Sequence, residues 1–149
     1  MDSNLLLLLF IGMYQPSLIE TYKRLSRYTR SDFDLLSTAL SNFRLIVTTP
    51  NILTEVSNLS SAIPDSHTGS YFESFATTVA LLKEEYVPSS RVIQNQFATF
   101  GLTDAAIAEI AEKQYLVLTD DFRLSQSLQA AGIDTLNFNH LRDADWTSS

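Results

Sequence analysis

The chain opens Met1-Asp2-Ser3-Asn4 and then runs through seven consecutive apolar residues, Leu5 to Ile11. Crossing a bilayer takes about 20 apolar residues, so this run is too short to span one. Nor is it built like a secretion signal, which wants a basic start and a small-residue cleavage site. Asp2 precedes the run, and Gly12, Met13 and Tyr14 follow it. The expectation is a soluble, cytoplasmic protein with no membrane contact.

Composition then narrows the chemistry. With 149 residues and 45% apolar content, the chain is long enough for one domain with a substantial core. That domain is expected over residues 1–142, with a polar C-terminal tail at 143–149. Ten Lys and Arg against 17 Asp and Glu give a net charge of −7, which argues against holding nucleic acid by bulk positive charge. A nuclease whose acids hold metal stays open. The absence of cysteine removes thiol nucleophiles, disulfides and Cys-ligated metals. Four glycines, Gly12, Gly69, Gly101 and Gly132, cannot spell a phosphate-cradling G-x-G-x-x-G or G-x-x-x-x-G-K loop. A Ser-His-Asp hydrolase would draw on His67 or His140 and a G-x-S-x-G elbow, and no such elbow is present. Carboxylates are left to carry any reaction.

The order of elements predicts an α/β protein. Helical periodicity is expected from Pro16 to about Tyr28, in a second helix through Phe33, Leu36, Leu40 and Phe43, and in a third opened by Thr49 as cap and Pro50 at the first turn. Leu45-Ile46-Val47 before that cap reads as a buried parallel strand. Pro64 to Gly69 reads as a loop, Tyr71 to Tyr86 as a helix, and Val92 to Phe100 as its resumption after Pro88. The remainder alternates: helix Asp104 to Lys113, strand Tyr115 to Leu118, helix Phe122 to Ala131, Gly132 as stop, strand Ile133 to Phe138. Alternation of this kind predicts a parallel sheet covered on both faces.

In such a sheet the residues just past each strand face the functional crevice. Asp120 and Asp121 follow the strand Tyr115 to Leu118, where either could equally cap the next helix. Glu55 falls three residues after Ile52 and four before Leu59, on the apolar stripe of its helix. Asp104 stands in the first turn of an alanine-rich helix, beside its Thr103 cap. Hard oxygen donors brought together suit Mg²⁺ or Mn²⁺, and clustered like charges repel unless a cation offsets them. The natural substrate for such a centre is a phosphodiester.

These residues resemble the motifs of the PIN-domain ribonucleases, a family that includes the VapC-like toxins of toxin–antitoxin pairs. Asp2-Ser3-Asn4-Leu5-Leu6 is similar to the family's opening D-[ST]-N, Thr54-Glu55-Val56 to its second acid, Gly101 to Ile107 to its third motif, and Leu118-Thr119-Asp120-Asp121 to its fourth. The four acids Asp2, Glu55, Asp104 and Asp121 follow at steps of 53, 49 and 17 residues, in the family's order. The resemblance covers most of the chain. It implies a three-layer α/β/α sandwich around a mostly parallel sheet of about five strands. It also implies endonucleolytic hydrolysis of RNA with Mg²⁺ or Mn²⁺ held by those four acids, Asp120 being second choice to Asp121, with Asn4 and Thr119 in support. A homodimer and an antitoxin partner are implied in the same way. In the family the first acid ends an apolar strand, whereas only Met1 precedes Asp2 here. Either a start lies upstream or Leu5 to Ile11 is that strand; family precedent makes Leu5 to Ile11 the first helix.

Positive charge is gathered at Lys23, Arg24, Arg27 and Arg30, interleaved with Tyr22 and Tyr28. On a helix, Lys23, Arg27 and Arg30 would share one face and form an RNA-binding patch, or an ordinary solvated surface. The alternative to an enzyme is a non-catalytic PIN-like module acting through a protein or RNA partner. A receiver-type phosphoacceptor domain would need an early Asp pair and a later Lys, and the order here does not supply them.

Overall fold

A computed structural model describes residues 1–148, with side chains described through Asp145. The chain is mostly helical. Its elements run α1 (Ser3–Tyr14), α2 (Arg30–Leu40), β1 (Val47–Thr48), α3 (Pro50–Leu59), α4 (Asp65–Val79), β2 (Lys83–Glu84), α5 (Ser89–Val92), α6 (Leu102–Ala111), β3 (Val117–Thr119), α7 (Phe122–Ala130), β4 (Thr135–Asn137) and α8 (Phe138–Ser148). Among the described residues no helix is long and apolar enough to cross a membrane.

The apolar run is the centre of the molecule. Every residue from Leu5 to Ile11 is buried, so α1 is apolar all round and has no solvent face, as a helix inside a core requires. Helices α2, α3 and α4 pack around it. Gly12 makes the α2 contact close: a Cβ there would lie 2.1 Å from the Phe33 ring. Half a turn before Gly12, Phe10 meets Phe75 of α4 edge to face at 4.8 Å between centroids.

The expected three-layer sandwich with a parallel sheet of about five strands is not formed. Instead there are two separate parallel pairs, β1 with β2 and β3 with β4, each two or three residues long. The reason lies between them. An apolar cavity of about 350 Å³ is lined by residues of both pairs, among them Val47, Leu118 and Leu136, together with Met1. Among the described residues, one backbone bond of strand type is made beside it, from the Asp2 N–H to the Leu118 carbonyl at 3.0 Å. Without a ladder to join them, the pairs stay apart.

Other local expectations also change. Pro16 to Tyr28 is not one helix but two short 3-10 turns, Pro16–Leu18 and Lys23–Leu25. The second helix, whose periodic residues begin at Phe33, starts at Arg30 and is capped by Thr29, whose hydroxyl and the Asp32 carboxylate form a reciprocal capping box. Pro64 to Gly69 is mainly the first turn of α4, and the helix expected to reach Tyr86 stops at Val79. Inside that expected helix lies β2. Val92 to Phe100 gives only the end of α5 and a 3-10 turn, Gln96–Phe100. Helix α8 runs through most of the stretch expected as a polar tail.

Candidate metal centre

The site is built where helices begin. Asp2 is the N-cap of α1 and accepts the Leu5 N–H at 3.0 Å. Thr49 caps α3 by accepting the Ile52 N–H at 3.2 Å, with Pro50 in the first turn. Asp104 occupies the first turn of α6, entered through Gly101, whose φ of 103° is the left-handed backbone that glycine tolerates best. Asp121 caps α7 and accepts the Leu124 N–H at 3.0 Å. The starts of α1, α3 and α6 and the cap of α7 border one open cleft of about 630 Å³. Its walls include Asp2, Glu55, Asp104 and Asp121 together, with Asn4 beside them. Asp2, Asp104 and Asp121 each stand at a helix N-terminus, whose partial positive charge favours a carboxylate, whereas Glu55 lies beyond the first turn of α3.

Each acid is held differently. Asp2 is buried, and its second oxygen accepts from the Thr119 hydroxyl and from the Asp120 N–H at 2.9 Å. Burial, then the nearby Asp120 charge, pushes its pKa up to about 6 against the opposing pull of these hydrogen bonds. Asp104 is pushed up to about 7, first by burial and then by the charges of Asp2, Glu55 and Asp121. Glu55 is exposed rather than on the buried stripe, which consists of Ile52 and Val56. It overhangs the cleft and accepts from Ser3 Oγ at 2.9 Å.

Asp120 and Asp121 part company. Asp121 opens onto the cleft, whereas Asp120 is buried behind it, with one oxygen held by the Tyr28 hydroxyl and the Arg27 guanidinium. Its other oxygen is buried without a hydrogen-bond partner among the described residues. Asn139 Nδ2 donates to the Asp120 carbonyl at 2.9 Å, fixing the loop from behind. Thr119 links the two sides, donating to Asp2 and accepting the Asp121 N–H at 3.0 Å.

The expected basic face is not formed. Lys23 belongs to a 3-10 turn, Arg27 is engaged with Asp120, and Arg30 begins α2, so the three do not share a helix. No Lys or Arg lines the cleft among the described residues. Ser3, Asn51, Asn58 and Tyr86 also line it, and apart from Ser3, which lies within the opening motif, no sequence pattern singles them out.

The donor set is all hard oxygen, the chemistry Mg²⁺ and Mn²⁺ prefer. Among the described residues, no three acidic or His side chains converge tightly enough to close on one ion by themselves. Asp2, Glu55, Asp104 and Asp121 are the residues that would hold such an ion. Comparison with protein-family models, curated proteins and solved structures finds no match for the chain.

Proposed function

We propose that this cleft hydrolyses RNA phosphodiesters with the help of Mg²⁺ or Mn²⁺, in the manner of the PIN-type endoribonucleases its motifs resemble. The observation that carries this reading is the meeting of Asp2, Glu55, Asp104 and Asp121, four acids from distant parts of the chain, around one open cleft. Acids gathered along one cleft repel one another, and a cation among them would offset that repulsion.

Asp2, Glu55, Asp104 and Asp121 would hold the metal. When bound, it would supply positive charge to the attacked phosphate and make a nearby water more acidic. The protein's part is positioning. Thr119 and the Leu5 and Asp120 amides fix both oxygens of Asp2, so the carboxylate is aimed before anything binds. Ser3 orients Glu55, and the Leu124 amide takes one Asp121 oxygen while leaving the other available to the cleft.

A second reading, a binding module without catalysis, is favoured by one observation: no three of the described acids close on a common point. Cleavage assays separate the two. A labelled single-stranded RNA should be cut with Mg²⁺ or Mn²⁺, left intact with EDTA, and left intact by Asp104→Asn and Glu55→Gln. Cleavage by either variant at the wild-type rate would overturn the assignment.

A further inference from the structure

The cleft is lined by two kinds of residue: the four acids with Asn4, Asn51 and Asn58, and the apolar or aromatic Tyr86, Val87, Phe100 and Leu102. Tyr86 is 76% exposed, an unusual state for a ring with nothing packed over it.

Its mounting is nonetheless firm. Glu85, just before it, bonds through its backbone N–H to the Thr48 carbonyl at 2.9 Å. The Glu85 carboxylate accepts from Lys113 Nζ and the Tyr115 hydroxyl, both at 2.9 Å, and pairs with Lys83 Nζ at 2.8 Å. Val87, just after it, is buried. A bare ring on a fixed backbone is a stacking platform whose ordering has largely been met by folding.

Resting on the phosphodiester reading above, we propose that Tyr86 is the specificity-determining residue of the cleft, stacking one unpaired base of a single-stranded RNA while the adjoining phosphate faces the acids. Two features of the site point this way. First, a nucleotide pairs a charged phosphate with a flat apolar base, and the lining of the cleft includes both acids that suit a metal-held phosphate and an exposed ring that suits a base. Second, no Lys or Arg lines the cleft among the described residues, so phosphate charge is not drawn in by cationic side chains there. Stacking supplies what charge does not, and it is indifferent to which base is offered. A duplex, whose bases already stack on one another, cannot present a face to Tyr86.

The test uses the otherwise wild-type protein with Mn²⁺ and a fluorescein-labelled single-stranded eight-nucleotide RNA whose phosphorothioate linkages slow hydrolysis, read by anisotropy. Adding Tyr86→Ala should weaken binding roughly five- to hundredfold, the usual range for one stacked base. Tyr86→Trp should restore it. An oligonucleotide with its central bases removed should lose a similar factor on the parent and nothing further on Tyr86→Ala, the signature of one shared contact. Raising salt from about 50 to 200 mM should cost less than about tenfold, well below the loss expected of a site built on many phosphate contacts. Equal affinity of Tyr86→Ala and parent, equal affinity for the base-free oligonucleotide, or no binding at all would each overturn the proposal. A Mn²⁺-induced rise in the wild-type melting temperature reads the metal centre without any oligonucleotide. If that rise is present and the Tyr86 effect absent, the stacking platform fails while the metal reading stands.

Discussion

The backbone N–H of Asp120 donates to the Asp2 carboxylate at 2.9 Å, joining the start of α1 to the loop that ends β3. Thr119 donates to the same oxygen, so two consecutive residues of that loop grip one carboxylate. Leu118 completes the grip by accepting the Asp2 N–H. The site's first acid is therefore oriented by the strand that delivers its last.

Thr119→Val removes the hydroxyl from this buried arrangement while keeping the shape of the side chain. It should destabilise the metal-free protein by about 1–3 kcal/mol, the cost of leaving a buried acceptor with fewer donors. Urea unfolding of the variant beside the wild type measures it. An unchanged midpoint would show that the Thr119 bond contributes nothing to stability.

The raised pKa values of Asp2, about 6, and Asp104, about 7, set a direction for pH. Both exceed the ordinary carboxylate value of about 4, so between pH ~4 and ~7 the unfolded chain has released protons that the folded protein still holds. Folding takes up protons in that window, and these two groups make stability fall as pH rises through it. Asp104→Asn should flatten the fall and be the more stable protein above pH ~7. Melts in EDTA across this range check the slope, and a wild-type profile matching that of the variant would contradict the assigned electrostatics.

Asp120 and Asp121 should separate by function. Asp120→Asn weakens the pairing with Arg27 and Tyr28 and should lower stability, yet leave stabilisation by Mn²⁺ in place. Asp121→Asn keeps an N-cap of similar quality and should lose the Mn²⁺ effect. The reverse pattern in paired melts would make Asp120 the ligand.

Gly12→Ala tests the packing of the central helix, because its new methyl would overlap the Phe33 ring. Overpacking of this sort costs about 1–3 kcal/mol. Phe33→Leu in the same chain should recover part of the loss, and chemical denaturation of the three variants reports whether it does.

What was legible in the sequence follows from the range of each interaction. Thr49 with Pro50 marked the start of α3, and Gly132, at φ 77°, marked the end of α7, because caps are chosen by residues within one turn. The strand pair was another matter. Lys83 and Glu84 are both exposed and join β1 through backbone bonds alone, so β2 left no apolar alternation to read. Pro64 to Gly69 carries loop-forming residues, but Asp65 suits a first turn and Tyr71 and Phe75 anchor the helix from beyond. The number of strands that join depends on what fills the space between Val47 and Leu118, and local pattern does not report that. The acids were legible as motif positions. Of their supports, Thr119 was named from its motif and does donate to Asp2, whereas Ser3 and Tyr28 were not legible in that role, since Ser3 reaches Glu55 across 52 residues and Tyr28 reaches Asp120 across 92.

The central claim is that Asp2, Glu55, Asp104 and Asp121 hold a divalent ion in the folded protein. A thermal melt of wild type in EDTA and then in excess Mn²⁺, beside Asp104→Asn, tests it directly, because a ligand bound only by the native state raises stability. The account predicts a clear rise in the wild-type melting temperature that grows with Mn²⁺ concentration and is lost or sharply reduced in the variant. An equal response of the two proteins, or none in the wild type, would contradict it.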